Sequence, residues 1–183
     1  FLDIYICKTG LAGNFAKKQF NSVGANLLYI NQGDLSFKES AEEYGLNIIG
    51  LSHTANFFDY DGDGDLDLYL IQTGEPGSTF SLSYYQAPPR FRWLSDRFYE
   101  NQNGYFRDVT EKVGLPLKRS IGLSVSVGDV NNDGFQDLYV ANDFFGPDFF
   151  YINNTKGKFI DKREEFFSKT PMSSMGSDFA DYN

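Results

Sequence analysis

The chain has 183 residues, a formal net charge of −9 and an aromatic content of 17%. An acidic chain without a basic stripe argues against binding to nucleic acid, because phosphate contacts need clustered Lys and Arg. The single cysteine, Cys7, excludes an internal disulfide, and its place in an apolar strand indicates a small buried side chain. The high aromatic content predicts many half-buried strands.

The expected strands, taken in chain order, form a series that repeats. Residues 2–6 open the series, an apolar strand ending in Asn follows at 27–31, and a polar turn then leads to a strand at 36–39. A strand at 55–58, preceded by the small residues Ser52 and Thr54, next enters an acidic loop. Apolar, aromatic and β-branched residues favour strand in each case. The series continues through expected strands at 66–71, 97–101, 105–109, 124–127, 137–140, 149–153 and 158–161.

Two acidic loops, at 59–67 and 129–137, carry oxygen-bearing side chains at positions 1, 3, 5 and 9 and a glycine at position 6. Ca²⁺ takes about 6–8 oxygen ligands. Five carboxylates in one loop would repel one another strongly unless a cation lay among them. The side chains predicted to bind the ion are those of Asp59, Asp61, Asp63, Asp67, Asp129, Asn131, Asp133 and Asp137.

The loops are not EF-hand loops. An EF-hand loop lies between helices and ends in a bidentate Glu at position 12, where this chain has Leu70 and Val140. Strand-like residues lie on both sides of each loop, so we expect each loop to join two strands. A simple polar turn would explain one Asp/Gly cluster, but it does not explain two copies with matching positions.

A fixed interval of 28 residues separates each strand-ending Asn from the start of the next loop. The three intervals run from Asn31 to Asp59, from Asn101 to Asp129 and from Asn153 to Asp181. In the same frame Asp3 matches position 9 of a loop, and Asp181 and Asn183 match positions 1 and 3 of another. We therefore expect two complete Ca²⁺ sites and a half-site at each terminus, in a chain cut from a longer protein.

Repeats of four short strands at this spacing are typical of β-propeller blades. The sequence predicts an all-β, β-propeller segment of four-stranded antiparallel blades, two complete and two partial, which alone would not close a ring. Small residues in the strand before each loop suit the crowded axis of a propeller. The expected blades cover about 2–46, 50–115, 121–168 and 173–183, with insertions at about 9–25 and 73–96.

The order of elements resembles the FG-GAP/VCBS repeat family, which includes the propeller of integrin α chains. The resemblance rests on a small-residue strand, the loop D-x-[DN]-x-D-G-x-x-D, an apolar strand and an aromatic strand ending in Asn. It extends over nearly the whole chain outside the insertions. It implies that each loop binds one Ca²⁺ and that position 7 contributes its main-chain carbonyl, here that of Asp65 or Phe135.

Together these features predict a non-catalytic, Ca²⁺-binding propeller that acts in adhesion or ligand binding. The alternatives are a structural subunit of a surface or filamentous assembly and an accessory domain of a carbohydrate-active enzyme. His53 is the only histidine and lies on an inner strand, where we expect a structural role. This removes most His-dependent catalytic sites.

Partner binding is expected on the face opposite the loops, where the insertions project. The candidate contacts, of types enriched at binding hot spots, are Tyr84, Tyr85, Arg90, Arg92 and Trp93. Packing of this insertion on its own blade is the alternative. We expect a protein or glycan ligand, with further blades or subunits as neighbours and no membrane insertion. Neither loop contains a Lys that would offset its negative charge, so Ca²⁺ would occupy the loops poorly at cytosolic concentrations. This favours an extracellular, cell-surface or periplasmic location.

Overall fold

The computed structural model describes residues 1–8, 24–73, 95–117, 120–144 and 146–181. Most of both predicted insertions, including all five candidate partner contacts, lies outside these ranges. The described residues form eleven strands and one short helix. The strands are β1 (Ile4–Ile6), β2 (Leu27–Asn31), β3 (Phe37–Glu39), β4 (Ser52–Phe58), β5 (Asp67–Gln72), β6 (Arg97–Gln102), β7 (Tyr105–Asp108), β8 (Gly122–Gly128), β9 (Asp137–Asn142), β10 (Phe149–Asn153) and β11 (Phe159–Asp161), and the helix is α1 (Arg163–Phe166).

The strands form three antiparallel sheets in which each strand pairs with its neighbour in sequence. The first sheet has the order β1-β2-β3, the second β4-β5-β6-β7 and the third β8-β9-β10-β11. The register shifts at the same place in both complete sheets, between Ser52 and Thr54 and between Gly122 and Ser124. The predicted all-β class and four-stranded antiparallel units are confirmed.

The hydrophobic core lies between successive sheets. Alternate residues of β5 face opposite sides, so Leu68 and Leu70 join the cluster shared with the first sheet, while Tyr69 and Ile71 join the cluster shared with the third. All six residues of β5 are buried. The second sheet is therefore covered on both faces, as an internal blade would be.

Crowding at the first strand of the third sheet explains its small residues. A Cβ added to Gly122 would lie 2.7 Å from Ile71 Cγ2, and one added to Gly128 would lie 2.9 Å from Phe179 Cδ2. Real Cβ contacts essentially never come closer than 3.0 Å, so larger residues would push these segments apart. The preference for small residues in this strand is thus a packing requirement.

The segment 173–181, expected to begin a further blade, forms no paired strand within the described residues. In the complete sheets, the corresponding strands β4 and β8 pair with the strand that follows their acidic loop. No described strand occupies that position beside 173–181. The segment instead lies along the third sheet, where Ser177 Oγ is 2.8 Å from Ser126 Oγ.

A buried carboxylate just before β6 links the second and third sheets. Asp96 Oδ1 accepts hydrogen bonds from the Gln72 N–H at 3.0 Å and the Ser120 hydroxyl at 3.1 Å, and Oδ2 accepts one from the Tyr69 hydroxyl at 2.9 Å. Tyr69 and Gln72 belong to the second sheet, whereas Ser120 leads into β8 of the third. We call this set the inter-sheet clasp.

The clasp recurs just before β10. Asp148 accepts hydrogen bonds from the Tyr139 hydroxyl at 2.7 Å, the Asn142 N–H at 2.8 Å and the Ser174 hydroxyl at 2.7 Å. Ser174 lies in the segment after the third sheet, as Ser120 lies after the second. The same polar connection therefore ends both complete sheets.

In the first sheet an amide replaces the carboxylate. Asn26 Oδ1 accepts a hydrogen bond from the Lys8 N–H at 2.8 Å, while Nδ2 donates to the Tyr5 hydroxyl at 2.8 Å and to Ser52 Oγ at 2.9 Å. Because the Tyr5 hydroxyl now accepts, it donates its own proton to the Leu46 carbonyl at 3.1 Å. The clasp thus tolerates Asn when the tyrosine has another acceptor.

Candidate metal centre

Each acidic loop is shaped by two residues in the left-handed region. In the first loop these are Gly62 at φ 79° and Gly64 at φ 93°, and in the second they are Asn132 at φ 57° and Gly134 at φ 90°. Gly adopts this region freely and Asn tolerates it better than other residues. A Cβ on Gly64 or Gly134 would meet no atom within 4 Å. The backbone angle, and not lack of space, therefore requires glycine there.

The first loop brings three of its predicted ligands together. One carboxylate oxygen from each of Asp59, Asp61 and Asp67 lies within 4.8 Å of the others. Asp63 and Asp65 are outside this group. Asp61 Oδ1 and Asp65 Oδ1 are both buried and have no hydrogen-bond partner among the described residues. Buried oxygens without a donor are what a bound cation would satisfy.

Backbone N–H groups hold the first and last aspartates of this loop. Asp59 accepts hydrogen bonds from the N–H groups of Gly62 at 2.7 Å and Gly64 at 3.0 Å. Asp67 accepts from Asn101 at 2.9 Å and from Tyr60 at 3.3 Å. These bonds fix two carboxylates while leaving lone pairs on their oxygens for a cation.

The electrostatics of the first loop also fit a cation. Burial raises the pKa of Asp67 to about 7, against the lowering effect of its bonds from Asn101 and Tyr60. Burial, and then repulsion from Asp63, raises the pKa of both Asp61 and Asp65. A divalent ion would reverse these effects, because it favours the charged carboxylates. The residues present therefore suit a Ca²⁺ ion.

The second loop has the same framework with less charge. Asp129 accepts hydrogen bonds from the N–H groups of Asp133 at 3.1 Å and Gly134 at 2.8 Å. Asp137 accepts from Val130 at 3.0 Å and from Asn153 at 2.8 Å, and burial raises its pKa. Position 3 is Asn131, and among the described residues only the first loop brings three carboxylates within 4.8 Å.

The predicted terminal half-sites are only partly described. Asp3 Oδ1 accepts a hydrogen bond from the Asn31 N–H at 2.9 Å, the same contact that Asp67 makes with Asn101. Asp3 therefore occupies the position equivalent to the last aspartate of a loop. Asp181 is exposed, and Asn183 lies outside the described residues.

Sequence reasoning missed a polar group beside the first loop. The Tyr60 hydroxyl donates to Glu100 Oε1 at 3.2 Å, and Lys112 Nζ lies 2.9 Å from the same oxygen. Burial acts to raise the pKa of Glu100, but hydrogen bonds from Lys112 and Gln102 hold it below its usual value. Glu100 directly precedes the strand-ending Asn101, and this position in the repeat is the sequence feature that could have identified it as a neighbour of the loop.

His53 and Cys7 show no catalytic grouping among the described residues. His53 is exposed on β4, with Nδ1 2.9 Å from Thr54 Oγ1. Cys7 is half-buried against the core, and burial raises the pKa of its thiol to about 11. A thiol with that pKa is protonated at neutral pH and is a poor nucleophile.

Comparison with known families places both loops in recognised repeats. The FG-GAP repeat model matches residues 121–157, and the FG-GAP-like repeat model matches residues 2–70. The chain belongs to the FG-GAP repeat family. These repeats indicate an integrin-like β-propeller repeat protein, and the matched ranges include both acidic loops. No curated protein matches the chain. Among the described residues of this FG-GAP repeat protein, no helix is long and apolar enough to cross a membrane.

Proposed function

We propose that this FG-GAP repeat protein binds one Ca²⁺ in each acidic loop and that the ions stabilise a non-catalytic propeller segment. The observation that supports this most directly is the convergence of Asp59, Asp61 and Asp67 beside buried oxygens that lack donors. Bound Ca²⁺ supplies the positive charge that offsets repulsion among these carboxylates. The protein itself orients the ligands, because backbone N–H groups hold the first and last aspartate of each loop.

A structural role follows from where the loops lie. Each loop joins the first two strands of a complete sheet, so the ion would tie β4 to β5 and β8 to β9. Because the unfolded chain has no preformed site, binding energy contributes directly to folding stability. At free Ca²⁺ of about 100 times the dissociation constant, each site would contribute about 2.7 kcal/mol. For a chain of this size, that corresponds to about 5–10 °C in Tm.

Calorimetric titration with Ca²⁺ and thermal unfolding with and without chelator test this role. We expect two binding sites and a Tm that falls clearly in chelator. Asp61→Ala should remove one site, while the control Glu42→Gln, which neutralises an exposed carboxylate far along the sequence from both loops, should leave both sites. Identical melting curves with and without chelator would contradict the proposal.

The biological role that fits a rigid repeat scaffold is adhesion or ligand binding outside the cytoplasm, through a protein or glycan partner on the face opposite the loops. The predicted contacts are Tyr84, Tyr85, Arg90, Arg92 and Trp93. Alanine replacement of the three aromatic residues tests this. Lost binding to a glycan or protein array with unchanged Tm supports partner contact, whereas a lowered Tm indicates that the insertion packs on its own blade.

A further inference from the structure

Asn153, which ends β10, contacts both acidic loops. Its backbone N–H donates to Asp137 Oδ1 at 2.8 Å, and its side-chain Nδ2 donates to the Tyr60 carbonyl at 2.8 Å. Asp137 is the last residue of the second loop, and Tyr60 is the second residue of the first. Both bonds are buried, and Asn153 is 1% exposed. One residue therefore joins the second and third sheets at the level of their loops.

Tyr60 continues this connection into the first loop. Its N–H donates to Asp67 Oδ2 at 3.3 Å, so hydrogen bonds run without interruption from Asp137 through Asn153 and Tyr60 to Asp67. The Tyr60 ring packs on Phe98 of the second sheet at 4.8 Å between centroids, and on Phe159 of the third at 6.3 Å. Tyr60 is thus held by both sheets and has little freedom to move alone.

The other strand-ending asparagines do not reach a neighbouring loop. Asn31 Nδ2 donates to the Leu2 carbonyl at 3.3 Å, and Asn101 Nδ2 donates to the Leu66 carbonyl at 3.4 Å, each within its own sheet. Asn31 and Asn101 share with Asn153 the backbone bond to the last aspartate of their own sheet's loop. Among the described residues, the contact from Asn153 to Tyr60 joins the strand-ending asparagine of one sheet to the acidic loop of the sheet before it.

The two loops are also close to each other in space. A Cβ on Gly62 would lie 3.7 Å from Phe135 Cε1, which is ordinary van der Waals distance. Gly62 is at position 4 of the first loop and Phe135 at position 7 of the second. The two loops therefore lie side by side, with the Phe135 ring near the Gly62 backbone.

We propose that Asn153 is a positioning residue that couples the two metal loops, so that occupation of one raises the Ca²⁺ affinity of the other. This inference rests on the proposed Ca²⁺ binding. An ion in the second loop fixes Asp137, and Asn153 then holds Tyr60 and Asp67 in place for the first. Ordering that one ligand has already imposed need not be imposed again by the next, which produces positive cooperativity without a large structural change.

The test measures the Ca²⁺ affinity of each loop when the other loop is intact and when it is weakened. Asp133→Asn weakens the second loop and Asp63→Asn the first, and the hydrogen bonds of both aspartates in the described part of the chain stay within their own loops. In calorimetric titrations of the full chain, we expect Asp133→Asn to lower the affinity of the first loop about 5-fold or more, as typical coupling energies predict. Linkage is reciprocal, so Asp63→Asn should in turn lower the affinity of the second loop, and by the same factor at Ca²⁺ levels that leave the substituted loop empty.

Asn153→Ala removes the bond to Tyr60 but keeps the backbone bond to Asp137. We expect it to reduce the coupling factor to below about 2-fold while both sites still bind. Asn154→Ala is the matched control, because the Asn154 amide oxygen bonds only the N–H groups of its own turn, at Lys156 and Lys158. It should leave the factor unchanged. A loss of affinity without loss of coupling would mark Asn153 as merely structural.

The outcomes separate the two proposals. Two sites with affinities that do not depend on each other overturn the coupling and leave Ca²⁺ binding intact. Absence of binding at both loops, by titration and by Tm, overturns both. Should Asn153→Ala fail to fold, the factors from Asp133→Asn and Asp63→Asn still decide, because the absence of an effect on the other loop contradicts the coupling.

Discussion

The second sheet (β4–β7) and the third (β8–β11) share a backbone plan but differ in charge. Both have the same strand order, the same register shift in the first strand pair and a bond from the strand-ending Asn to the last aspartate. The first loop carries five carboxylates, whereas the second has Asn131 and Phe135 at two of those positions. Loop shape is therefore independent of loop charge.

This difference separates the positions that fix the loop conformation from the positions that determine how strongly the loop depends on a cation. Backbone N–H groups bind the aspartates at positions 1 and 9 in both loops, and left-handed residues stand at positions 4 and 6. Positions 3 and 7 vary. The shared positions should control stability in both sheets, while the variable ones should control how strongly each loop depends on Ca²⁺.

The largest effect is expected from the shared last aspartate. Asp67→Ala leaves the N–H groups of Tyr60 and Asn101 without an acceptor, at about 1–3 kcal/mol for each buried group, and removes a predicted ligand. We expect a loss of at least about 3 kcal/mol by urea denaturation in saturating Ca²⁺. Asp137→Ala should cost about the same. Glu42→Gln is the control, because it neutralises an exposed carboxylate outside both loops; a loss as large as that of Asp67→Ala would show that the effect does not come from the last aspartate.

Position 3 should show opposite signs in the two metal states. The pKa of Asp61 is raised by burial and by Asp63, so its charge destabilises the loop when no cation is present. Asp61→Asn should therefore raise stability in chelator and lower it in Ca²⁺, where a carboxylate is the stronger ligand. Asn131→Asp should do the reverse in the second loop. Urea denaturation in both conditions is the measurement, and equal signs in the two conditions would contradict this account.

The sequence predicted the sheets well because the repeat is local. The strand ending in Asn31 matches β2 in full, and the interval of 28 residues matches sheets that repeat strand by strand. The role of the strand-ending Asn was not predicted. Its N–H binds an aspartate that is 16 to 34 residues earlier, and only the folded register shows that contact.

The clasp was missed for a similar reason. Asn26, Asp96 and Asp148 each stand five residues before a strand-ending Asn, so the pattern was present in the sequence. The residue type varies between amide and carboxylate. The serine partner of each acidic copy follows the sheet, 24 to 26 residues further along the chain. These residues can be recognised as hydrogen-bond partners only once the packing of successive sheets is known.

The clasp of the second sheet should make stability depend on pH. Because the pKa of Asp96 is raised to about 6, between pH about 4 and 6 the folded protein holds a proton that the unfolded chain releases. This contribution is present below about pH 4 and is lost as pH rises through 6. Asp96→Asn places at this position the amide that Asn26 supplies in the first sheet. It should reduce the fall in unfolding free energy between pH about 4 and 6 by about 2–3 kcal/mol. The measurement is urea denaturation across this pH range.

Tyr69→Phe provides the second arm of the pH experiment. The hydrogen bond from Tyr69 lowers the pKa of Asp96, so its removal should move the decline in stability to higher pH. Asp96→Asn should abolish the shift caused by Tyr69→Phe, because no titrating group is then left in the clasp. If the decline persists in Asp96→Asn, it arises from the loop carboxylates instead.

The smallest effect concerns position 4, where the loops use different residues for one backbone angle. Gly62→Asn should cost less than about 1 kcal/mol, because Asn132 already adopts the same region in the second loop and a Cβ at Gly62 meets only Phe135 at 3.7 Å. Gly62→Val should cost about 2 kcal/mol or more, since a β-branched residue at positive φ is strained. Equal costs for Asn and Val, measured by thermal unfolding in Ca²⁺, would mean that contact with Phe135 and not the backbone angle selects glycine. The relative costs of Gly62→Asn and Gly62→Val therefore decide whether the backbone angle or the space beside Phe135 selects the residue at position 4.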